Sequence, residues 1–332
     1  MIRFGILSFA HPHANEYATA INNIRDSGAN AELLGIADED RERGENRQKE
    51  FHIPYYFQDY RKMLESEIDA VVICSENASH VENVIAASQA GKHIICEKPI
   101  AISSAGIEEM RSALSGAKVF FQTAFVMRYS SSILQAKKTL ANGVLGKIKA
   151  ISGTNHGRYP GGWFGEQSLS GGGAIMDHTV HVADLVRFLT KDEFASVRAF
   201  RGKNIREGIA VEDNALVYCE LNSGIPVSID CSWSRHDGWP TWGDLTMELV
   251  CEKGVLKIDA FRPHMEIVSE DGKFQWHGFG EDLNEKMIRS FCASVEEKKE
   301  TKASFKDGAG AASIAFSAYE SIEKGSQRIR VP

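Results

Sequence analysis

No stretch of this chain is long and apolar enough to cross a bilayer, and no run of Lys or Arg offers a polyanion a landing place. A formal net charge of −7 works further against nucleic-acid binding. Cys-x-x-Cys pairs are also missing. The six cysteines, Cys74, Cys96, Cys219, Cys231, Cys251 and Cys292, are scattered, most of them in apolar runs where a free thiol behaves as a small hydrophobe. The chain opens directly on a short apolar strand rather than a signal peptide. A reduced, cytoplasmic setting without membrane or nucleic-acid partners is therefore expected. A further absence concerns the first turn, which lacks the Gly-x-Gly-x-x-Gly pattern that lets a backbone approach a pyrophosphate. Gly5 lies inside the strand, and the expected glycine positions hold Ser8 and Ala10.

With 332 residues, 43% of them hydrophobic and 25% charged, the chain suits two globular domains better than one core. In its first part the segments 2–7, 31–37, 68–74, 93–96 and 119–123 read as strands, alternating with helical patterns such as 13–24, 41–51 and 79–90. That alternation predicts an α/β domain with a doubly wound parallel sheet, whose ligand sits at the carboxyl ends of the strands. Asp38 closes the second strand, where a carboxylate accepts hydrogen bonds from ribose hydroxyls and repels a 2′-phosphate. NAD is the expected cofactor, with Arg41 and Arg43 leaving NADP open. The first turn, Ser8-Phe9-Ala10-His11, still leads into a helix N-terminus whose N–H groups suit an anion, and Pro12 suits a first helical turn. His11 and His13 have ligand chemistry, but two histidines without a third partner in the sequence predict no metal. From Ile148 onward, alternating strands with turn chemistry at 222–224, 253–254 and Asp271-Gly272 predict a largely antiparallel sheet.

The stretch 171–189 opens on Gly171-Gly172-Gly173 and continues as a helix that is apolar nearly all round, which argues for burial. Asp177, His181 and Asp184 stand four and then three residues apart, so they stack on one stripe of that helix. Carboxylates are seldom buried without a partner, and three ionisable groups in line suggest a polar pocket. The glycines carry no Cβ, so another backbone or a ligand can come close to the helix N-terminus. A plainer role for Asp177 is service to the helix dipole, and for His181 a bond to a neighbouring carboxylate.

At the end of the fourth strand stands Cys96-Glu97-Lys98-Pro99-Ile100-Ala101, preceded by Ala90-Gly91-Lys92-His93. Arg128-Tyr129, Gly143-Val144-Leu145-Gly146 and Glu252-Lys253-Gly254-Val255-Leu256 follow in order. With Asp69-Ala70-Val71-Val72-Ile73 and the Gly-Gly-Gly…Asp-x-x-x-His helix, the chain resembles the glucose–fructose oxidoreductase/inositol dehydrogenase (Gfo/Idh/MocA) family over nearly its whole length. The resemblance implies an N-terminal Rossmann domain over 1–124. It also implies a C-terminal α+β domain with a large, mainly antiparallel open sheet over 125–332. A nicotinamide cofactor and a sugar, cyclitol or polyol substrate come with it. Lys98 corresponds to the family's lysine, and Asp177 and His181 to its Asp/His pair. Ser75, Glu76, Asn77 and His80 fall in the cofactor-cradling segment, although members often carry Thr-Pro-Asn there. Ser8, Phe9, Ala10, His11, Asp38, Glu97, Lys98 and Arg128 complete the expected cofactor contacts. In the family another subunit often covers the exposed sheet face, so a homodimer or homotetramer is expected.

Chemistry supports the same residues. Oxidising a secondary alcohol removes the hydroxyl proton as hydride leaves the same carbon. An unperturbed histidine titrates near pH ~6.5, which suits His181 to accept that proton and return it in reduction. Asp177 can orient the imidazole or hold a second hydroxyl, and Lys98 can stabilise charge developing on the substrate oxygen. The loops 155–164 and 233–242 mix flat rings with donors, which suits polyhydroxylated substrates. His156, Arg158, Trp163 and His178 are the expected substrate contacts. An NAD(P)-dependent oxidoreductase follows. The alternatives are an NAD-assisted glycoside hydrolase or lyase of the same fold and a non-catalytic dinucleotide or sugar sensor.

Overall fold

The computed structural model describes residues 1–239, 242–261, 264–268, 274–278 and 282–332. The turn predicted at Asp271-Gly272 lies outside them. The chain divides into two compact units, Met1–Val126 with Glu281–Ala309, and Met127–Gly280 with Gly310–Pro332. Among the described residues no helix is long and apolar enough to cross a membrane.

In the first unit six strands form one sheet: β1 (Ile2–Leu7), β2 (Ala31–Ala37), β3 (Tyr55–Phe57), β4 (Ala70–Ile73), β5 (His93–Cys96) and β6 (Phe121–Thr123). Their order is β3-β2-β1-β4-β5-β6, and every neighbouring pair is parallel. Helices α1 (His13–Asp26), α2 (Arg41–Glu50), α3 (Tyr60–Leu64), α4 (His80–Gln89) and α5 (Ser104–Leu114) lie in the connections. Because helices cover both faces, central strands such as β4 are buried at every position. The strand order reverses between β1 and β4, so the residues just past β1, β2, β4 and β5 form the edge where an open α/β sheet binds its ligand. The helix Leu283–Glu297 also belongs here, although the sequence placed everything past 124 in the second domain. Its buried stripe of Met287, Ile288 and Phe291 packs on α1, with the Phe291 ring 6.1 Å from Phe4.

The second unit holds α6 (Ser131–Ala141), α7 (Gln167–Ser170) and α8 (Val180–Thr190). Its main sheet comprises β7 (Ile148–Arg158), β8 (Phe194–Arg201), β9 (Asn214–Leu221), β10 (Pro226–Arg235), β11 (Thr246–Cys251) and β12 (Gly254–Asp259). β13 (His264–Val268) and β14 (Phe274–Gly278) pair apart, while β15 (Ile329–Arg330) completes the order β12-β11-β7-β10-β9-β8-β15. Only β7 and β10 run parallel in that sheet. One face carries α8: a Cβ on Gly153 would come within 2.5 Å of Val182 Cγ1. The continuous helix predicted over 175–189 is instead a π turn, Ile175–Thr179, running into α8. Such turns insert one extra residue and gather at functional sites.

Candidate active site

Past β1 the chain turns on Ser8, whose φ of +68° lies in the left-handed region that glycine favours. A serine thus takes up the backbone shape that a fingerprint glycine would supply. Its Oγ accepts from Ala10 N (3.1 Å), and Phe9 N donates to Asp38 Oδ2 (2.9 Å). His11 N donates to Cys74 O (2.9 Å) and His13 N to His11 Nδ1 (3.2 Å). The Phe9 ring is buried against Phe51, centroids 5.9 Å apart, so it packs into the unit and leaves only its backbone to the turn. Asp38 also accepts from Asp40 N (3.0 Å) and from Arg43 Nε (2.8 Å) and Nη2 (2.7 Å). Asp38, the acid expected to bind ribose, is thus shared with Arg43, one of the two arginines that leave NADP open.

A cavity of ≈ 120 Å³ lies beside it, lined by Ser8, Asp38, Arg43, Ser75 and Glu76 among others. Ser75 Oγ donates to Asn83 Oδ1 (2.7 Å), and Asn77 is buried in the short 3₁₀ turn Asn77–Ser79. This set fits a dinucleotide. The Ala10 and His13 amides now bond to a hydroxyl and an imidazole nitrogen, and a pyrophosphate oxygen is the stronger acceptor for either.

Two predicted cofactor contacts are turned inward instead. His80 is wholly buried, with Nδ1 2.8 Å from Pro99 O and Nε2 3.1 Å from Ser75 O, and burial lowers its pKa. The ring thus lies between two backbone carbonyls, one in the loop after β4 and one at Pro99, next to the cis Lys98–Pro99 peptide. Glu97 is fully buried as well. Its Oε1 accepts from Tyr17 Oη and lies 2.9 Å from His13 Nδ1, and its Oε2 accepts from Lys98 N (3.0 Å). Burial alone would raise the Glu97 pKa, but the His11 and His13 imidazoles hold it well below the usual carboxylate range. Glu97 in turn raises His13 against the effect of burial. Lys98 is buried beside them at the end of β5.

In the second unit, the glycines before the π turn admit the chain itself rather than a ligand. A Cβ on Gly173 would lie 1.7 Å from Glu212 O, and one on Gly172 would lie 1.9 Å from Tyr319 Oη. Glu212 also fills the helix N-terminus: Oε2 accepts from Gly173 N (3.3 Å), Oε1 from Ile175 N (2.9 Å) and from Tyr319 Oη (2.9 Å). Burial raises the Glu212 pKa, and these donors only partly offset it. Downstream, the buried Asp177 accepts from the Trp233 indole N–H (3.0 Å) and lies 3.3 Å from His178 Nε2. His181 stands one turn further on, half-buried. Asp184 departs from this group. It pairs with Arg128 Nε (2.9 Å) and Nη2 (2.6 Å), both side chains buried, with Arg128 over the Phe188 ring. Arg128, expected at the cofactor, is therefore committed to a buried carboxylate of its own unit.

The segment 155–158, read as a loop, is the end of β7, and strand alternation decides which way it points. Gly157 faces the helix, where a Cβ would meet His178 Cε1 at 2.9 Å, and Asn155 shares that side. His156 and Arg158 face the opposite side, so their expected substrate contacts are corrected. The His156 ring has Nδ1 2.9 Å from Asp244 Oδ2 and Nε2 3.2 Å from Asp230 Oδ1. Burial works against its charged form, but these two carboxylates raise its pKa to about 9. Arg158 donates to Trp239 O. Trp163 does lie on the helix side: it stacks on Phe164 (3.9 Å) against a cluster that includes Trp233, the anchor of Asp177. Trp233, Glu212 and Asn155 escaped sequence reasoning as site residues. Asn155 and Trp233 each left a signal, at the start of an aromatic-rich segment, whereas Glu212 left none.

A profile described as an oxidoreductase family with an NAD-binding Rossmann fold matches residues 13–125, and one described as the GFO/IDH/MocA C-terminal domain matches residues 133–257. The myo-inositol 2-dehydrogenase of Thermotoga maritima is 25% identical over 303 residues, covering 88% of this chain and 89% of its own. The scyllo-inositol 2-dehydrogenase (NAD(+)) of Bacillus subtilis is 29% identical over 258 residues, covering 75% and 73%. A levoglucosan dehydrogenase solved with NADH and levoglucosan shares the fold, with a TM-score of 0.87 at 23% identity over 100% of this chain and 99% of that one. With one profile on each of its two units, in the family's order, the chain belongs to the Gfo/Idh/MocA oxidoreductase family.

Proposed function

We propose that this protein is an NAD-dependent dehydrogenase acting on a secondary alcohol of a sugar, cyclitol or related polyol. The observation that carries the proposal is Asp177, a buried carboxylate fixed by the Trp233 indole one turn before His181, in a member of an NAD-binding oxidoreductase family. Relatives named for inositols and a structural neighbour named for levoglucosan support the substrate class. When bound, the nicotinamide supplies the hydride acceptor. The remaining work falls to the chain. His181 takes the hydroxyl proton, Asp177 holds a neighbouring hydroxyl, and the Lys98 ammonium stabilises charge on the substrate oxygen. Trp163 is kept as a substrate contact, and Asn155 takes the place of His156 and Arg158 in the set we assign. Asp38 at the end of β2 favours NAD, and its pairing with Arg43 keeps NADP open as the second cofactor.

The experiment is turnover with NAD over a panel of inositols, anhydrosugars and aldoses, followed by nicotinamide absorbance. Lys98→Ala and His181→Ala should each lower kcat/KM by about 10²–10⁴-fold while leaving the melting temperature nearly unchanged. Wild-type rates in either variant would remove that residue from its role. A product formed without net nicotinamide reduction would replace oxidation by hydrolysis or elimination. The outward sheet face of the second unit exposes Phe200, Leu216 and Tyr218, and we assign it to contact with a second copy of the chain. Light scattering that shows only monomer at micromolar concentration would overturn that assignment.

A further inference from the structure

We propose that His11, His13 and Glu97 form a site for one divalent cation of the borderline class, such as Zn²⁺ or Co²⁺, in the nucleotide-binding unit. The inference is independent of the substrate and reaction proposed above. One ligand atom from each residue lies within 4.8 Å of the others. Around a tetrahedral ion with bonds of about 2.0–2.1 Å, ligand atoms stand about 3.4 Å apart, a difference that side-chain rotation spans. The two imidazoles come from a single turn. Pro12 stands between them with its φ fixed at −55°, and the rings lie 4.4 Å apart. The third ligand arrives from the end of β5, 84 residues after His13, which explains why the sequence shows only a pair.

The donor atoms are disposed for a shared ion. His13 Nδ1 and Glu97 Oε1 already face each other at 2.9 Å, and a cation between them takes the place of the shared proton. His11 Nδ1 accepts the His13 N–H at 3.2 Å, so a cation held at this nitrogen takes the place of that donor. Tyr17 Oη donates to Oε1 of the same carboxylate and Lys98 N to Oε2, as outer partners do around a metal-binding acid. Two nitrogen ligands out of three disfavour Ca²⁺ and Mg²⁺, which prefer oxygen, and three protein ligands leave a fourth position for water.

The test is titration of the chelator-treated, full-length protein with Co²⁺, read by visible d–d absorption and by calorimetry, with Zn²⁺ as competitor. The expected result is one Co²⁺ per chain, displaced by Zn²⁺. His11→Ala and His13→Ala should each weaken binding by more than about tenfold, and Tyr17→Phe by about tenfold through the carboxylate it orients. His236→Ala, at an exposed histidine, should change nothing. Circular dichroism checks folding of each variant, and His13→Asn serves where the alanine variant does not fold. Uptake of less than one equivalent at millimolar Co²⁺ would overturn the site, as would undiminished affinity in both histidine variants.

Discussion

The turn after β1 and the turn before α8 both bring backbone N–H groups to the start of a helix, and they do so by opposite means. The first has no glycine at its bend, and Ser8 adopts φ +68° in place of one. The second has three glycines in a row, two of which stand against Tyr319 Oη and the Glu212 carbonyl. Each turn receives a carboxylate from elsewhere in its own unit. Asp38 takes the Phe9 amide and is neutralised by Arg43, whereas Glu212 takes three neutral donors, the Gly173 and Ile175 amides and the Tyr319 hydroxyl. In the first turn, amides bonded to a serine hydroxyl and an imidazole can change partner for a pyrophosphate. In the second, both the amides and the space are used by the chain. Glycine content shows where a backbone comes close to something. What that something is depends on the acceptors already in place.

Four measurements would sharpen or break this contrast. Gly173→Ala sets a Cβ 1.7 Å from a backbone carbonyl, so it should cost more than about 3 kcal/mol in urea melts. Glu212→Ala leaves the Gly173 and Ile175 amides and Tyr319 Oη without this acceptor and should cost about 2–4 kcal/mol. The pH dependence has a defined sign. The folded-state pKa of Glu212 is raised above its ordinary 4.5, so its contribution is full below that value and is lost as pH rises through the raised one. Wild type should lose stability across that window relative to Glu212→Gln, and parallel profiles would contradict the account. Ser8→Gly should change stability least, by under about 1 kcal/mol. Relief of the left-handed backbone is set there against the greater freedom of glycine in the unfolded chain. A loss of several kcal/mol would mean that the Ser8 hydroxyl, not the backbone shape, builds the turn.

Much of the fold was legible wherever a strand was apolar throughout or alternated cleanly, as in Ile2–Leu7, Ala31–Ala37 and Asn214–Leu221. β3 escaped because three residues after Pro54 carry no readable period. α6 escaped because its buried stripe is only Ile133 and Ala136. Of the site, Asp38 and Lys98 stand at strand ends and Asp177 and His181 on the helix named in advance, since each position follows from local pattern. The misassigned residues depend on partners that local pattern cannot supply. His80 answers to Pro99, and Arg128 to Asp184, 56 residues on. For His156, extending β7 by a few residues settled which face the ring would take.

The helix Leu283–Glu297 has a consequence for how this protein is made. Phe4 and α1 are covered by residues that leave the ribosome long after the nucleotide-binding strands, and β6 is bonded at Thr123 to Ala303. The sheet built from β1 to β6 must therefore wait, with part of its apolar surface bare, until the helix Leu283–Glu297 arrives. A fragment ending at Val126 lacks that cover, whereas 1–126 fused to 281–309 carries it.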